Sequence, residues 1–247
     1  LTESILGSHP QVHACGELNS IPAITQMIAR NFQGLRPYPL CLEQLSRDQL
    51  IAMANAYLLE LPEAARQAGH SADKLPHNFM NVGLIHLLFP DSPIIHVMRD
   101  PRDNGLSNYQ QNFGAKYGGM GYSFNLEKIA KQINDYHRMM AHWRAVQIPL
   151  FEFWYEDLVA NQEALTRQLL EYCGLPWDDQ VMAFHTLERS VRTASVGQVR
   201  QKIYRSSAQK WRRYEQELQP MIQAFDPTWM RYYPTTAHSS SAPSISA

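Results

Sequence analysis

The chain has 247 residues, 45% of them hydrophobic and 18% charged, with a net charge of −1. That composition supports a sizeable buried core in one large domain and excludes a disordered chain. The balanced charge gives no footing for a nucleic-acid partner, and no run approaches the roughly 18 apolar residues of a membrane span.

In chain order, "LTESILGSHP" reads as a helix already under way, stopping before Gly7 and Pro10. With no starting Met, this predicts that the natural N-terminus lies upstream and leaves targeting unreadable. "QVHAC" reads as a short strand ending at Gly16 and Glu17, and residues 21–70 read as mostly helical, interrupted by "GLRPYP". "NFMNVGLIHLLF" is a helix stopped by Pro90, and "PIIHVM" is a buried strand by its length and β-branched content. Apolar residues at Leu126, Ile129, Ile133, Tyr136, Met140 and Trp143 give an amphipathic helix. "LFEFWY" is a further strand. "NQEALTRQLLEYCGL" is a helix with Asn161 as N-cap and Gly174 as its stop. The predicted organisation is one domain over residues 1–234 and a Ser-rich, disordered tail over 235–247.

Strands separated by helices of this length predict an α/β fold with a parallel sheet, in which ligands sit beyond the carboxyl ends of the strands. "VMRDPRDNGLS" follows that rule. Arg99 leaves the end of a strand, Asp100–Pro101 turns the chain, and Ser107 falls on the next helix. A guanidinium fork, a hydroxyl and a helix start form a cradle for one phosphate, or alternatively an Arg–Asp turn that only caps the helix. Residues 189–213 hold eight Lys or Arg and no Asp or Glu, which reads either as an anion-attracting segment or as a solvated basic face.

Metal chemistry is not indicated. Cys15, Cys41 and Cys173 lie far apart without a C-x-x-C pair, which argues against zinc and against a disulfide framework and makes a reduced environment the default. His9 and His13 flank Pro10 and read as structural; His96, inside an apolar strand, reads as a hydrogen-bonded core residue. "KYGGMGYS" lacks the G-x-x-x-x-G-K-[ST] spacing and reads as a loop.

The strand–R-D-P-R-D–x3–Ser segment resembles the 3′-phosphate-binding segment of sulfotransferases that use 3′-phosphoadenosine-5′-phosphosulfate (PAPS). "ILGSHPQVHACGELNSIP", "DKLPHNFMNVGLIHLLFP", "WYEDLVANQEALTRQLLEYCGLPWD" and "TASVGQVRQKIYRSSAQKWRRYEQEL" resemble further stretches of that family in the same order, across roughly residues 1–225. The likeness is to the protein-tyrosine sulfotransferase branch and to bacterial sulfotransferase domains, often attached to tetratricopeptide repeats.

The resemblance implies a three-layer fold like that of P-loop NTPases, with a central parallel sheet between helices. It implies Glu17 as general base and Lys74 as the lysine at the sulfuryl group and leaving oxygen. It places Arg99 and Ser107 at the 3′-phosphate, Tyr155 near the adenine or ribose, and Ser195, Gln198, Arg200 and Lys210 at the cofactor's phosphates. The family's phosphosulfate loop and its strand would stand immediately before Leu1, so the chain reads as a piece of the family's domain. The implied co-substrate is PAPS, released as 3′-phosphoadenosine-5′-phosphate (PAP), with no metal. The implied acceptor is a hydroxyl of peptide tyrosine, a carbohydrate or a small molecule. Residues 1–90 hold five Lys or Arg against seven Asp or Glu, which gives an acidic tyrosine peptide no added support. An upstream tetratricopeptide region or a homodimer fits the resemblance, as does a cytoplasmic location for a bacterial protein or the Golgi lumen for a eukaryotic tyrosine sulfotransferase. The competing class is a non-catalytic nucleotide-binding module, against which the presence of both Glu17 and Lys74 argues.

Overall fold

The computed structural model describes residues 1–31, 36–111, 121–186 and 209–230. Its elements in chain order are α1 (Thr2–Leu6), β1 (Val12–Gly16), α2 (Ser20–Asn31), α3 (Arg47–Glu60), α4 (Glu63–Gln67), β2 (His70–Asp73), α5 (Val82–Leu88), β3 (Ile95–Met98) and α6 (Pro101–Gln110). There follow α7 (Leu126–Ala145), β4 (Phe151–Trp154), α8 (Tyr155–Ala160) and α9 (Gln162–Tyr172). A 3-10 turn over Lys210–Tyr214 and short helices over Gln219–Gln223 and Pro227–Met230 come last. The chain divides into two units, Leu1–Met98 with Met139–Arg205 and Arg99–Arg138 with Ser206–Ala247.

The α/β class with parallel strands is as expected. Among the described residues the strands form two parallel pairs, β1–β2 and β3–β4, where one continuous sheet was expected. Strand β2, "HSAD", begins where the stretch expected to be helical ends, and no strand was expected there. It carries one apolar residue, Ala72, and its first half is exposed, so neither alternation nor a β-branched run marks it. Backbone pairing to β1 makes it a strand, with Val12 opposite His70 and Gly16 opposite Asp73.

Both pairs feed one core in the first unit. Val12 from β1 and Phe153 from β4 pack with Ile5 and Leu6 of α1 and with Leu158, Leu169 and Leu170 from α8 and α9. A second cluster joins Ile21, Ile24 and Ile28 of α2 to Met53 of α3 and to Leu84 and Leu88 of α5. Helix α3 begins with a capping box in which Gln49 N–H donates to Ser46 Oγ at 3.2 Å and Ser46 N–H donates to Gln49 Oε1 at 2.7 Å. Asn161 stands at the N-cap of α9 as expected, but its side chain makes no cap bond; its carbonyl accepts from Leu165 N–H at 3.1 Å. Gly174, at φ +68, ends that helix in the left-handed conformation that glycine adopts without cost.

A polar network crosses the β3–β4 pair. His96 stands opposite Glu152, and its Nδ1 lies 2.6 Å from Glu152 Oε1. Arg144 adds a fork to the same carboxylate, Nε at 2.9 Å from Oε2 and Nη2 at 2.8 Å from Oε1. Burial alone would raise the Glu152 carboxyl, but hydrogen bonds from His96 and Arg144, with the Arg144 charge, overcome it and bring it down to about 2.

In the second unit α6 opens with Pro101 at its first position and Asp100 as N-cap, accepting from Arg102 N–H at 2.9 Å. Gly105 lies so close beneath Met221 that a Cβ would collide with the sulfur. Helix α7 is held to the 219–230 segment by Asn134, whose Nδ2 donates to Ala224 carbonyl at 2.9 Å, and by His137 stacked on Trp229 with ring centroids 3.9 Å apart.

Candidate functional site

The first unit presents a charged cluster where β1 and β2 end. Because Gly16 pairs with Asp73, the residues that follow them, Glu17 and Lys74, leave the two strands side by side. Lys74 N–H donates to Gly16 carbonyl at 2.9 Å, which carries the pairing one step further. The two side chains then meet as an ion pair, Lys74 Nζ on Glu17 Oε1. Lys74 is 36% and Glu17 41% exposed, so both charges are open to solvent and to a substrate.

The turn that carries Glu17 is gripped on both sides. Gly16 takes φ +73, the left-handed conformation, and its N–H donates to Glu3 Oε1 at 2.7 Å. Leu18 N–H donates to Asp73 Oδ1 at 3.3 Å. The other oxygen of Asp73 accepts from Tyr57 OH on α3 at 3.0 Å. Thus two carboxylates hold the backbone donors that flank Glu17, and one of them belongs to the neighbour of Lys74. Burial pushes the Asp73 carboxyl upward against the lowering effect of the bonds from Tyr57 and Leu18. Burial first, then the charge and hydrogen bond of Asp73, raise the Tyr57 phenol. Burial, aided by Asp73 and Glu3, pushes the Cys15 thiol up to about 11, which makes it a poor nucleophile. Glu3, Tyr57 and the anchoring role of Asp73 escaped sequence reasoning because their partners are distant in sequence.

The second unit holds the phosphate-type residues. Arg99 is the residue after Met98, the last of β3, and Ser107 lies seven positions into α6, on its second turn. Lys210 Nζ donates to Gln110 Oε1 at 2.8 Å, which brings the lysine to the same helix three residues beyond Ser107. Asp103 accepts from the backbone of the 209–214 segment, and Arg102 stacks on Trp211; neither had been singled out as a functional residue. Tyr155 is half-buried in the first unit, where it begins α8 directly after β4. Ser195, Gln198 and Arg200 lie outside the described residues, as does the 235–247 tail. Among the described residues no group of three or more His, Cys, Asp or Glu is placed to hold a metal ion, and no helix is long and apolar enough to cross a membrane.

In the second unit a guanidinium after a strand, a serine on the following helix and a lysine bonded to that helix suit an anionic group, and in the first a carboxylate–ammonium pair offers a proton acceptor and a cation. A model of the sulfotransferase family matches residues 1–179. The chain belongs to the sulfotransferase family. The chain is 43% identical over 229 residues to an uncharacterized protein of Aquifex aeolicus (strain VF5), covering 90% of this chain and 30% of that one. It is 22% identical over 196 residues to protein-tyrosine sulfotransferase A of Caenorhabditis elegans, covering 74% of this chain and 48% of the relative. The chain therefore spans under half the length of either relative. In fold it is similar to the sulfotransferase domain from the Synechococcus PCC 7002 olefin synthase, with a TM-score of 0.57 at 19% identity over 91% of this chain and 89% of that one.

Proposed function

We propose that the chain transfers a sulfuryl group from PAPS to a hydroxyl, with peptide tyrosine as the acceptor class. The observation that carries this reading is the solvent-open Lys74–Glu17 ion pair at the joined ends of β1 and β2. Similarity to a protein-tyrosine sulfotransferase supports the acceptor class.

PAPS supplies the sulfuryl group and departs as PAP. Guanidinium, hydroxyl and ammonium suit a phosphate monoester, so Arg99, Ser107 and Lys210 hold the 3′-phosphate, Tyr155 holds the nucleoside side, and Ser195, Gln198 and Arg200 complete the donor contacts. Glu17 accepts the hydroxyl proton as the acceptor oxygen attacks, a contribution of about 10²–10⁴-fold for a positioned base. Lys74 supplies positive charge where negative charge grows on the equatorial and leaving oxygens. The resting ion pair gives each group a partner before substrate arrives. Glu3, Asp73 and Tyr57 hold this pair in register.

Calorimetric titration with PAP, alongside Arg99→Ala, tests the nucleotide half. Binding to the wild-type chain that the variant loses is expected. Equal binding by both removes Arg99 from the phosphate site.

A further inference from the structure

Lys210 sits between two residues whose backbone N–H groups both point at one buried carboxylate. Asp103 Oδ2 accepts from Gln209 N–H at 2.6 Å, and Asp103 Oδ1 accepts from Trp211 N–H at 2.9 Å. Gln209 takes φ +61, a left-handed conformation that is unfavourable for a non-glycine residue and needs a compensating contact. Asp103 supplies that contact from the first turn of α6 and is 2% exposed. Beside it, the Arg102 guanidinium lies 4.1 Å from the centre of the buried Trp211 ring. Arg102 is itself fixed by Asp100, Nε at 2.9 Å from Oδ1 and Nη2 at 2.6 Å from Oδ2. With its neighbours pinned, Lys210 reaches along α6 to Gln110, one turn from Ser107.

A carboxylate has the wrong charge to touch a phosphate, and burying one is costly. Its presence on the helix that carries Ser107 is explained by what it holds. We infer that Asp103 is a positioning residue: through the N–H groups of Gln209 and Trp211 it fixes Lys210 against α6, and so sets the preference for a 3′-phosphorylated nucleotide over one with a free 3′-hydroxyl. The inference rests on the proposed binding of the donor nucleotide by this unit.

The test is calorimetric affinity for PAP and for adenosine 5′-phosphate, in the wild-type chain, Asp103→Asn, Lys210→Ala and the double variant. Asparagine keeps the shape but replaces one acceptor oxygen by a donor, leaving a buried N–H without its acceptor. The wild type favours PAP. Lys210→Ala and Asp103→Asn each lower PAP affinity by about 10–100-fold, the range of a hydrogen bond to a charged group, and leave adenosine 5′-phosphate unaffected. The double variant binds PAP no more weakly than Lys210→Ala, because Asp103 acts through that lysine. A purely architectural Asp103 would give losses that multiply and fall on both nucleotides, and that result overturns the inference, as does an unchanged ratio in Asp103→Asn. If Asp103→Asn does not fold, Asp103→Glu takes its place, which keeps the charge and moves the acceptor oxygens by one methylene. A severalfold loss of PAP preference supports the inference, and no change overturns it. A wild-type chain that binds both nucleotides equally overturns the donor reading and this inference together.

Discussion

Two parallel strand pairs in the same unit each set a nitrogen-bearing side chain against a glutamate, and the pairs differ in depth. At the end of β1–β2, Lys74 and Glu17 stand 36% and 41% exposed. In the middle of β3–β4, His96 and Glu152 stand 11% and 17% exposed, with Arg144 closing over the carboxylate. An exposed pair is screened by water and contributes little to stability, but its groups can exchange partners when a substrate arrives. A buried pair whose acceptor lone pairs are taken is costly to break and has no capacity left for chemistry. Position along the strand produces this difference. His96 and Glu152 are register partners within the ladder, whereas Glu17 and Lys74 lie one step beyond its end.

The comparison is sharpest under substitution of one member from each pair. Lys74→Ala should lower kcat for sulfuryl transfer by about 10²–10³-fold, as when one donor to a developing oxyanion is removed. Its Tm should move by no more than about 2–4 °C, which thermal melting beside the assay would check. Glu152→Gln should do the reverse. Leaving Arg144 without its carboxylate costs about 3–5 kcal/mol, a fall in Tm of roughly 10 °C, while turnover per folded molecule persists.

The pH dependence of stability separates the pairs again. The Glu152 carboxyl stands at about 2 in the folded chain against an ordinary 4.5. A lowered carboxyl contributes fully above the unfolded value, and its contribution is lost as the pH falls from 4.5 through about 2. The loss amounts to about 3 kcal/mol. Denaturant midpoints across that window should slope downward in the wild type and lose this part of the slope in Glu152→Gln. The smallest effect is expected at Tyr57→Phe, which removes the hydroxyl bonded to Asp73. It should cost about 1 kcal/mol and slow turnover modestly by loosening the Glu17 turn, readable as a fall in kcat with KM for the donor unchanged.

Much of the architecture is legible from pattern alone. The β-branched run before Arg99 becomes β3, the 3–4 spacing from Leu126 to Trp143 becomes α7, and Gly174 ends α9. Periodicity succeeds in α7 because burial of Ile129, Ile133 and Met140 on one face writes it into the sequence. It fails at β2, where "HSAD" offers Ala72 alone and backbone pairing decides the conformation. The same holds for the site. Arg99 and Ser107 stand out by type and by their place after a strand end, whereas Glu17 and Lys74 stand out only through the resemblance to the family. Glu3, Tyr57 and Asp103 act through backbone donors or a single oxygen, and their partners lie 13, 16 and more than 100 residues away. No local spacing encodes such contacts. His96 illustrates the middle case: its place in an apolar strand predicts a hydrogen-bonded core residue, and only the structure names Glu152 as its partner.

The most direct measurement is transfer of radiolabelled sulfuryl from PAPS to a tyrosine peptide, comparing kcat/KM for the wild type and Glu17→Gln with melting curves in parallel. The predicted result is a loss of about 10²–10⁴-fold with an unchanged melting transition, because glutamine keeps the shape of the side chain and cannot take the proton. Equal transfer by the two proteins would contradict a base at Glu17, and no transfer to any hydroxyl by a wild type that binds PAP would contradict catalysis by this chain.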